Sequence, residues 1–499
     1  MRHGPILDRC CTPGLLLTVL VAAGCAPRAS AQDPVCTANR YGTPEQALAI
    51  ERVLQDGDND AAVAAIRAAQ RTRGTELGCA EVAVSYGPAD TRAPGAAQVL
   101  AAWEVHAASA AQSTQYDRCP ALGRAAGAYA LGGWVARAGG LRFDRARLAQ
   151  LSDAFVDTQY LPAQTPGRLP VWPGLYGYGE VLGQPGECDA GPVVGAGVAM
   201  VCRDLPTLCP AYGRGRWRGM RFGIGDYLPD AGVRDGGAAF DQGWAGAMMI
   251  EAALAAADAS ERERWRNSAI AAAEWALHEP PVRNHNYTAK AIWLLAAAYD
   301  WTGQSRFRAA LLDKLERSLL PGVLMDANAD GEVDGVPGVR FAALAPNART
   351  PGRMWDAHNA LPWYGAMNAW ALVEATAALR SRGDSAAAAR VRPYALAMLD
   401  NLADEVARRG GPPPEGGPGV TQVPYAFALG LWKLADPEGL ARPAWECAIW
   451  AYWNAGLATS PGDSKTATVA VVALRQSGVS WRSYRQRELL ARLPGRPRP

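Results

Sequence analysis

The sequence predicts an all-α fold: an (α/α) toroid of helical hairpins, interrupted by a long irregular insertion that contains Gly, Pro and Cys. Three observations predict it. Alanine dominates the apolar residues and runs of Val, Ile and Thr are scarce, which favours helix over sheet. Helical segments follow one another across short links, the pattern of helical hairpins. Residues 160–240 break that pattern with dense Gly and Pro, and long excursions of this kind usually carry function. With 499 residues and 49 % hydrophobic content, the chain can bury a large core. No strict internal period marks a solenoid. A closed ring of hairpins suits the length and the loop-borne aromatics, although periodicity by itself also fits an open array.

Residues 1–31 read as an export leader. Arg2 and Arg9 precede the apolar run from Leu15 to Ala23, which is too short to span a bilayer. Ala23-Gly24-Cys25 has the form of a lipobox, with Ala22 where Leu is usual; Ala29-Ser30-Ala31 offers a competing cleavage site. An exported protein is expected, periplasmic, attached to the outer membrane through a lipidated Cys25, or secreted. Of ten Cys, three lie in the leader and seven follow, so at most three disulfides form and one thiol remains. Cys202 and Cys209 can close a small loop. Cys447, flanked by Trp445 and Trp450, is expected to be the buried single thiol. No CxxC pair is present, so no zinc site is expected.

Residues 32–159 read as N-terminal helical hairpins. Thr43-Pro44-Glu45-Gln46 is a capping box with Pro at the first helical position. An Ala-rich helix to about Gln70 follows, then a pair over 96–112 and 120–138. His106 reads as a satisfied core or surface residue. Residues 160–240 form the insertion. Its Arg214, Arg216, Trp217, Arg218 and Arg221 suit an acidic polymer, though a solvated Arg-rich loop has the same composition. Residues 241–485 return to hairpins. Ser260 is expected to cap a helix to about His278, followed by helices over 286–301, 305–319, 363–381, 385–409, 421–436, 441–457 and 464–476. Residues 486–499 form a basic, Pro-rich tail.

Composition narrows the function. The formal net charge of +2 gives no global case for nucleic acid. Seventeen Trp and sixteen Tyr against seven Phe is a biased set, suited to stacking on sugars and equally to helix packing. Asp326, Asn328, Asp330 and Asp334, with Gly331 at the turn, follow the first part of a calcium loop. Pro337 stands where an EF-hand needs its bidentate Glu, so the expectation is a looser structural calcium site or a plain turn.

The chemistry is expected between Arg283 and Tyr364. Two of the five His residues fall here, each beside Asn, Arg and aromatics. Asn284 and His285 follow Pro280-Pro281 at a helix start, where partial positive charge and free amides favour an anion and lower the pKa of a nearby His. Tyr287 can give or take a proton. Arg353 can hold a carboxylate through two parallel hydrogen bonds. His358, Asn359 and Tyr364 complete a catalytic set, and Trp355 and Trp363 join Trp217, Arg218 and Arg221 as candidate substrate contacts. β-Elimination of a polyuronate needs such groups: one to neutralise the C6 carboxylate, a base for the C5 proton, and an acid for the leaving oxygen.

Asn284-His285-Asn286-Tyr287, with Trp293, Ala297, Thr302 and Phe307, resembles the Asn-His-x-Tyr segment of the toroidal mannuronate-type alginate lyases. Arg353, four residues, then His358-Asn359-Ala360-Leu361 is similar to that family's second motif. The resemblance implies that the Asn-His pair and the Arg act on carboxylate and proton. The family's second-motif Tyr is replaced by Ala360, so Tyr287 or Tyr364 must take its part. The implied partner is an acidic polysaccharide, cleaved without a cofactor by a monomer. Two other functions fit the same residues. A toroid glycoside hydrolase would pair Asp356 with Asp226, Asp230 or Asp241. A glycan-binding surface lipoprotein would use the Trp and Tyr without cleaving.

Overall fold

The computed structural model describes residues 32–35, 61, 64, 80–83, 89–112, 119–139, 143–156, 237–278, 285–326, 351–354, 359–412, 421–457 and 463–484. They are mostly helical, consistent with the all-α expectation. A short ribbon is the exception: β1 (Gln32–Val35) pairs antiparallel with β2 (Ala80–Ala83), Gln32 opposite Ala83. Strands of this length leave no alternating pattern long enough to recognise in sequence.

The helices are α1 (Ala96–Gln112), α2 (Cys119–Gly139), α3 (Arg145–Val156), α4 (Gly237–Ala255), α5 (Ala259–His278) and α6 (His285–Thr302). They continue with α7 (Ser305–Lys314), α8 (Pro362–Ser381), α9 (Ser385–Arg409), α10 (Gln422–Gly430), α11 (Pro443–Tyr452) and α12 (Asp463–Gln476). Their boundaries lie close to those expected, and α3 is an addition. The helix expected after Thr43, most of the Ala-rich one, and the Gly/Pro stretch up to residue 236 lie outside the described residues; α4 begins at Gly237.

Local chemistry explains several ends. Asp258, rather than the expected Ser260, caps α5: its Oδ1 accepts from the Ser260 and Glu261 amides at 2.6 and 3.2 Å. Asp384 caps α9, and Gly410 ends it in the left-handed conformation at φ 78°. Helices α7 and α10 run on into π turns at Leu315–Leu319 and Leu431–Ala435, whereas α11 ends in a kink at Gly456, whose φ of 119° is not helical. Pro321 and Pro437 follow the two π turns. A proline lacks the amide hydrogen and crowds the carbonyl four residues back, and a widened turn relieves both.

Packing follows a regular succession. α2 packs on α4, α4 on α6, α6 on α8, α8 on α10, α10 on α12, and α12 on α2 again. Each of these has its own companion: α3 on α2, α5 on α4, α7 on α6, α9 on α8, α11 on α10 and α1 on α12. The first set is buried on nearly all sides; in α6, even Thr288, Lys290 and Asp300 are buried. Close approach depends on missing side chains. A Cβ on Gly127 would lie 2.3 Å from the Met248 carbonyl, and one on Gly243 would lie 2.2 Å from the Lys290 carbonyl carbon.

Trp370 on α8 is the hub of the core. Its ring lies edge-to-face with Trp244 at 5.4 Å, Trp293 at 5.5 Å and Tyr425 at 5.1 Å. At the C-terminal end, Trp432 meets Trp481 and Tyr484, and the Tyr484 hydroxyl donates to Glu251 at 2.6 Å. Helix packing therefore accounts for much of the Trp and Tyr content. Cys447 carries no disulfide and is half-buried rather than buried. His106 is buried but not satisfied: its Nε2 has no hydrogen-bond partner among the described residues, and burial with nearby Lys465 lowers its pKa to about 4.

Gly243→Ala is expected to cost about 1–3 kcal/mol of stability, because the added methyl meets backbone rather than a movable side chain. Urea denaturation of the variant beside the parent measures this. An unchanged midpoint would mean that α4 and α6 do not approach as closely as described.

Candidate functional site

The two sequence motifs meet at the N-terminal ends of α6 and α8. The Asn286 amide belongs to the first turn of α6, where a helix has no acceptor of its own to offer. It donates to Asn359 Oδ1 at 2.8 Å, across 73 residues of sequence. Asn368 Nδ2, one helix face along α8, donates to the same oxygen at 3.3 Å. All three asparagines are fully buried. Asn359 stands just ahead of Leu361-Pro362, where extended Leu361 and a first-turn proline start α8.

Tyr287 and Tyr364 occupy the first turns of the two helices and are half-buried. The Tyr287 ring meets Phe240 edge-on at 5.0 Å, and Tyr364 lies 5.9 Å from Trp363. Arg353 is half-buried. Its carbonyl accepts from Leu324 at 2.8 Å beside the Val323–Met354 bridge, which ties this loop to the end of the π turn after α7.

His285 faces elsewhere. It is fully buried, with Nδ1 3.2 Å from Ser318 Oγ. Its other edge leaves no room over Gly322, where an added Cβ would be 2.9 Å from Cε1 and 3.0 Å from Nε2. Its pKa is lowered to about 3 by burial. The ring is thus neutral, as expected, but wedged between α6 and the π turn.

No family model, curated protein or solved structure matches this chain.

Several expected site residues lie outside the described residues: Asn284, Trp355, Asp356 and His358 beside the two motifs, and Trp217, Arg218, Arg221, Asp226 and Asp230 in the insertion. The backbone of Asp241 lies within α4. Of the calcium set, Asp326 is described, whereas Asn328, Asp330 and Asp334 are not. Among the described residues, no group of three or more His, Cys, Asp or Glu is arranged to hold a metal ion.

The most unusual group near the two motifs is one the sequence does not single out. Lys290, one turn after Asn286, is fully buried in an aromatic box. Its ammonium lies 3.2 Å from the ring centre of Trp370, 4.6 Å from Trp244, 5.5 Å from Phe240 and 5.6 Å from Trp293. Arg124 of α2 covers Trp244 at 4.7 Å. Lys465, at the start of α12, is fully buried, donates to the Gly456 carbonyl at 3.2 Å, and has its pKa lowered to about 8 by burial.

A second polar cluster lies toward the other ends of these helices. Glu251, Asp300, Glu374 and Lys433 line one pocket with Trp293, Trp301 and Trp481. Lys433 donates to Glu374 at 2.7 and 2.8 Å, and Ser381 donates to Asp300. Burial raises the Glu374 pKa, and Glu251 and Asp300 add to that against the pull of Lys433. The free space is about 20 Å³, room for one water and not for a sugar.

The His285 geometry sets a pH dependence. Its folded pKa of about 3 lies below the ordinary 6.5, so between these values the unfolded chain binds more protons. Its contribution is complete above pH 6.5 and is lost as pH falls toward 3. In thermal melts across that window, His285→Gln is expected to lose less stability on acidification than the parent. Parallel curves would rule out a neutral, buried His285.

Proposed function

We propose that the chain is an exported enzyme that cleaves an acidic polysaccharide by β-elimination. The observation that carries this reading is the Asn286–Asn359 hydrogen bond, which joins the two expected halves of the site at adjacent helix starts. The succession of helix contacts that returns from α12 to α2 supports an (α/α) toroid, in which those helix starts open toward one end of the ring. Half-buried Arg124 and fully buried Lys290 and Lys465 lie in the early turns of three of its helices, a setting that favours an anionic ligand.

In this proposal a tyrosine moves the protons. His285 is held between Ser318 and Gly322, so it positions the start of α6. Tyr287 and Tyr364 stand at the two helix starts that the asparagines tie together. One, as its phenolate, takes the C5 proton as the C4–C5 double bond forms and the bond from C4 to the glycosidic oxygen breaks, and the resulting phenol gives that proton to the leaving oxygen. The side-chain amides and Arg353 draw charge from the C6 carboxylate, which makes the C5 proton acidic. Export through a leader ending at Cys25 or Ala31, and action as a monomer, belong to the same proposal.

The test is ultraviolet detection of unsaturated uronate ends on a panel of acidic polysaccharides. Tyr287→Phe and Tyr364→Phe are assayed beside the parent protein. The variant that lacks the proton-transfer group should lose about 10²–10⁴-fold in kcat with little change in KM. New reducing ends without the ultraviolet signal would replace elimination by hydrolysis. Full activity in both variants would remove tyrosine from the chemistry.

A further inference from the structure

We infer that the short helical turn after α12, residues 481–484, is a proton-linked latch. It closes over the acidic pocket when that pocket carries one more proton, and it lifts as the proton is lost. The inference is independent of the reaction proposed above.

The turn is built as a separate piece. Gly478 stops α12 in the left-handed conformation at φ 71°. Ser480 then starts a single new turn: its Oγ accepts from the Ser483 amide at 3.1 Å and its carbonyl from the Tyr484 amide at 3.0 Å. One turn of helix does not sustain itself in water, so contacts with the body must hold it. The π turn after α10 supplies some of them. Trp432 Nε1 donates to the Val479 carbonyl at 2.8 Å, and the Lys433 ammonium lies 4.1 Å from the centre of the Trp481 ring. α4 supplies another, since Glu251 accepts from the Tyr484 hydroxyl at 2.6 Å. Trp481 and Tyr484 are buried, whereas Ser480 and Arg482 are exposed. One face of the turn is therefore seated and the other is wet.

The seat is where charge collects. Trp481 lines the pocket with Glu251 of α4, Asp300 of α6, Glu374 of α8 and Lys433. With the turn in place, the pocket has room for one water. Three carboxyl groups then share one ammonium in a space nearly closed to solvent. The charged groups that face Glu374 are Lys433, which donates to it, and Glu251 and Asp300, which oppose its charge. Arg380 near the end of α8 pairs with Glu438, Arg475 near the end of α12 pairs with Asp436 and Glu446, and Arg482 is exposed. Burial raises the Glu374 pKa, and the two other carboxylates add to that. A carboxyl that holds its proton more tightly under the closed turn than in water makes protons favour closure. Lifting the turn lets water reach the carboxylates and releases the proton. The latch therefore tightens as pH falls from neutral toward the ordinary carboxylate range, and loosens as pH rises.

Hydrogen exchange of the full chain, read by mass spectrometry at about pH 5.5 and about pH 7.5 and corrected for the intrinsic rate at each, tests this. A fully linked proton changes an opening equilibrium about tenfold per pH unit. In the parent, protection of residues 481–484 should be at least about tenfold greater at the lower pH, while that of α6 should not rise. Glu374→Gln, which is uncharged at every pH, should protect the turn equally at both. Tyr484→Phe, which removes the hydrogen bond to Glu251 and leaves the pocket charges, should lower protection at both and keep the pH ratio. Equal protection in the parent at the two pH values would overturn the inference. So would a pH ratio that persists in Glu374→Gln, unchanged protection in Tyr484→Phe, or a parallel rise in α6, which would mean stabilisation of the whole protein instead of a latch. The parent and Tyr484→Phe decide the matter even where Glu374→Gln does not fold.

Discussion

The interior is organised by one buried ammonium. Taking the Lys290 charge out of water is expensive unless something answers it. Here the faces of Trp370, Trp244, Phe240 and Trp293 do so, brought from α8, α4 and α6 itself. That arrangement dictates much else. α4 must approach α6 until only glycine fits at position 243. The tryptophans must meet edge-to-face, because their faces are turned to the cation. The small residues that fill the rest of α4 and α6 let large rings interleave without holding the helices apart.

Charge along the central helices is distributed against their dipoles. Helix N-termini favour anions and C-termini favour cations. Yet Arg124, Lys290 and Lys465 lie in the early turns of α2, α6 and α12, whereas Glu251, Asp300 and Glu374 lie in the later parts of α4, α6 and α8. Each placement adds to the backbone field. Lys433 offsets the acidic end through its pair with Glu374. The basic end is the one that carries the buried asparagines.

Helix boundaries were legible because their signals are local. Gly410 closes α9 and Pro362 opens α8 whatever lies beyond them. The meeting of the two motifs was legible for a related reason, since each marks the start of a helix and the two helices are neighbours. Lys290 was not legible. It is a single lysine on an Ala-rich helix, and its rings arrive from segments far off in sequence. The burial of His285 was hidden too, because Ser318 reaches it from a π turn, which has no periodic signature. The acidic pocket escaped for the same reason. Glu251, Asp300 and Glu374 each look like an ordinary polar residue on a separate helix.

Those π turns have a further consequence. A π turn is an α-helix that holds one residue more than its length requires, and each α-helical residue advances the side chains by about 100°. Leu315–Leu319 delivers Ser318 to His285, and Leu431–Ala435 delivers Lys433 to Glu374. In each case, the partner of a buried ionisable group comes from the one stretch where the helix is out of step. The internal chemistry of this protein is therefore indexed by chain length as much as by residue identity. The loss of a single residue, of any type, from one of these turns would swing Ser318 away from His285 or Lys433 away from Glu374.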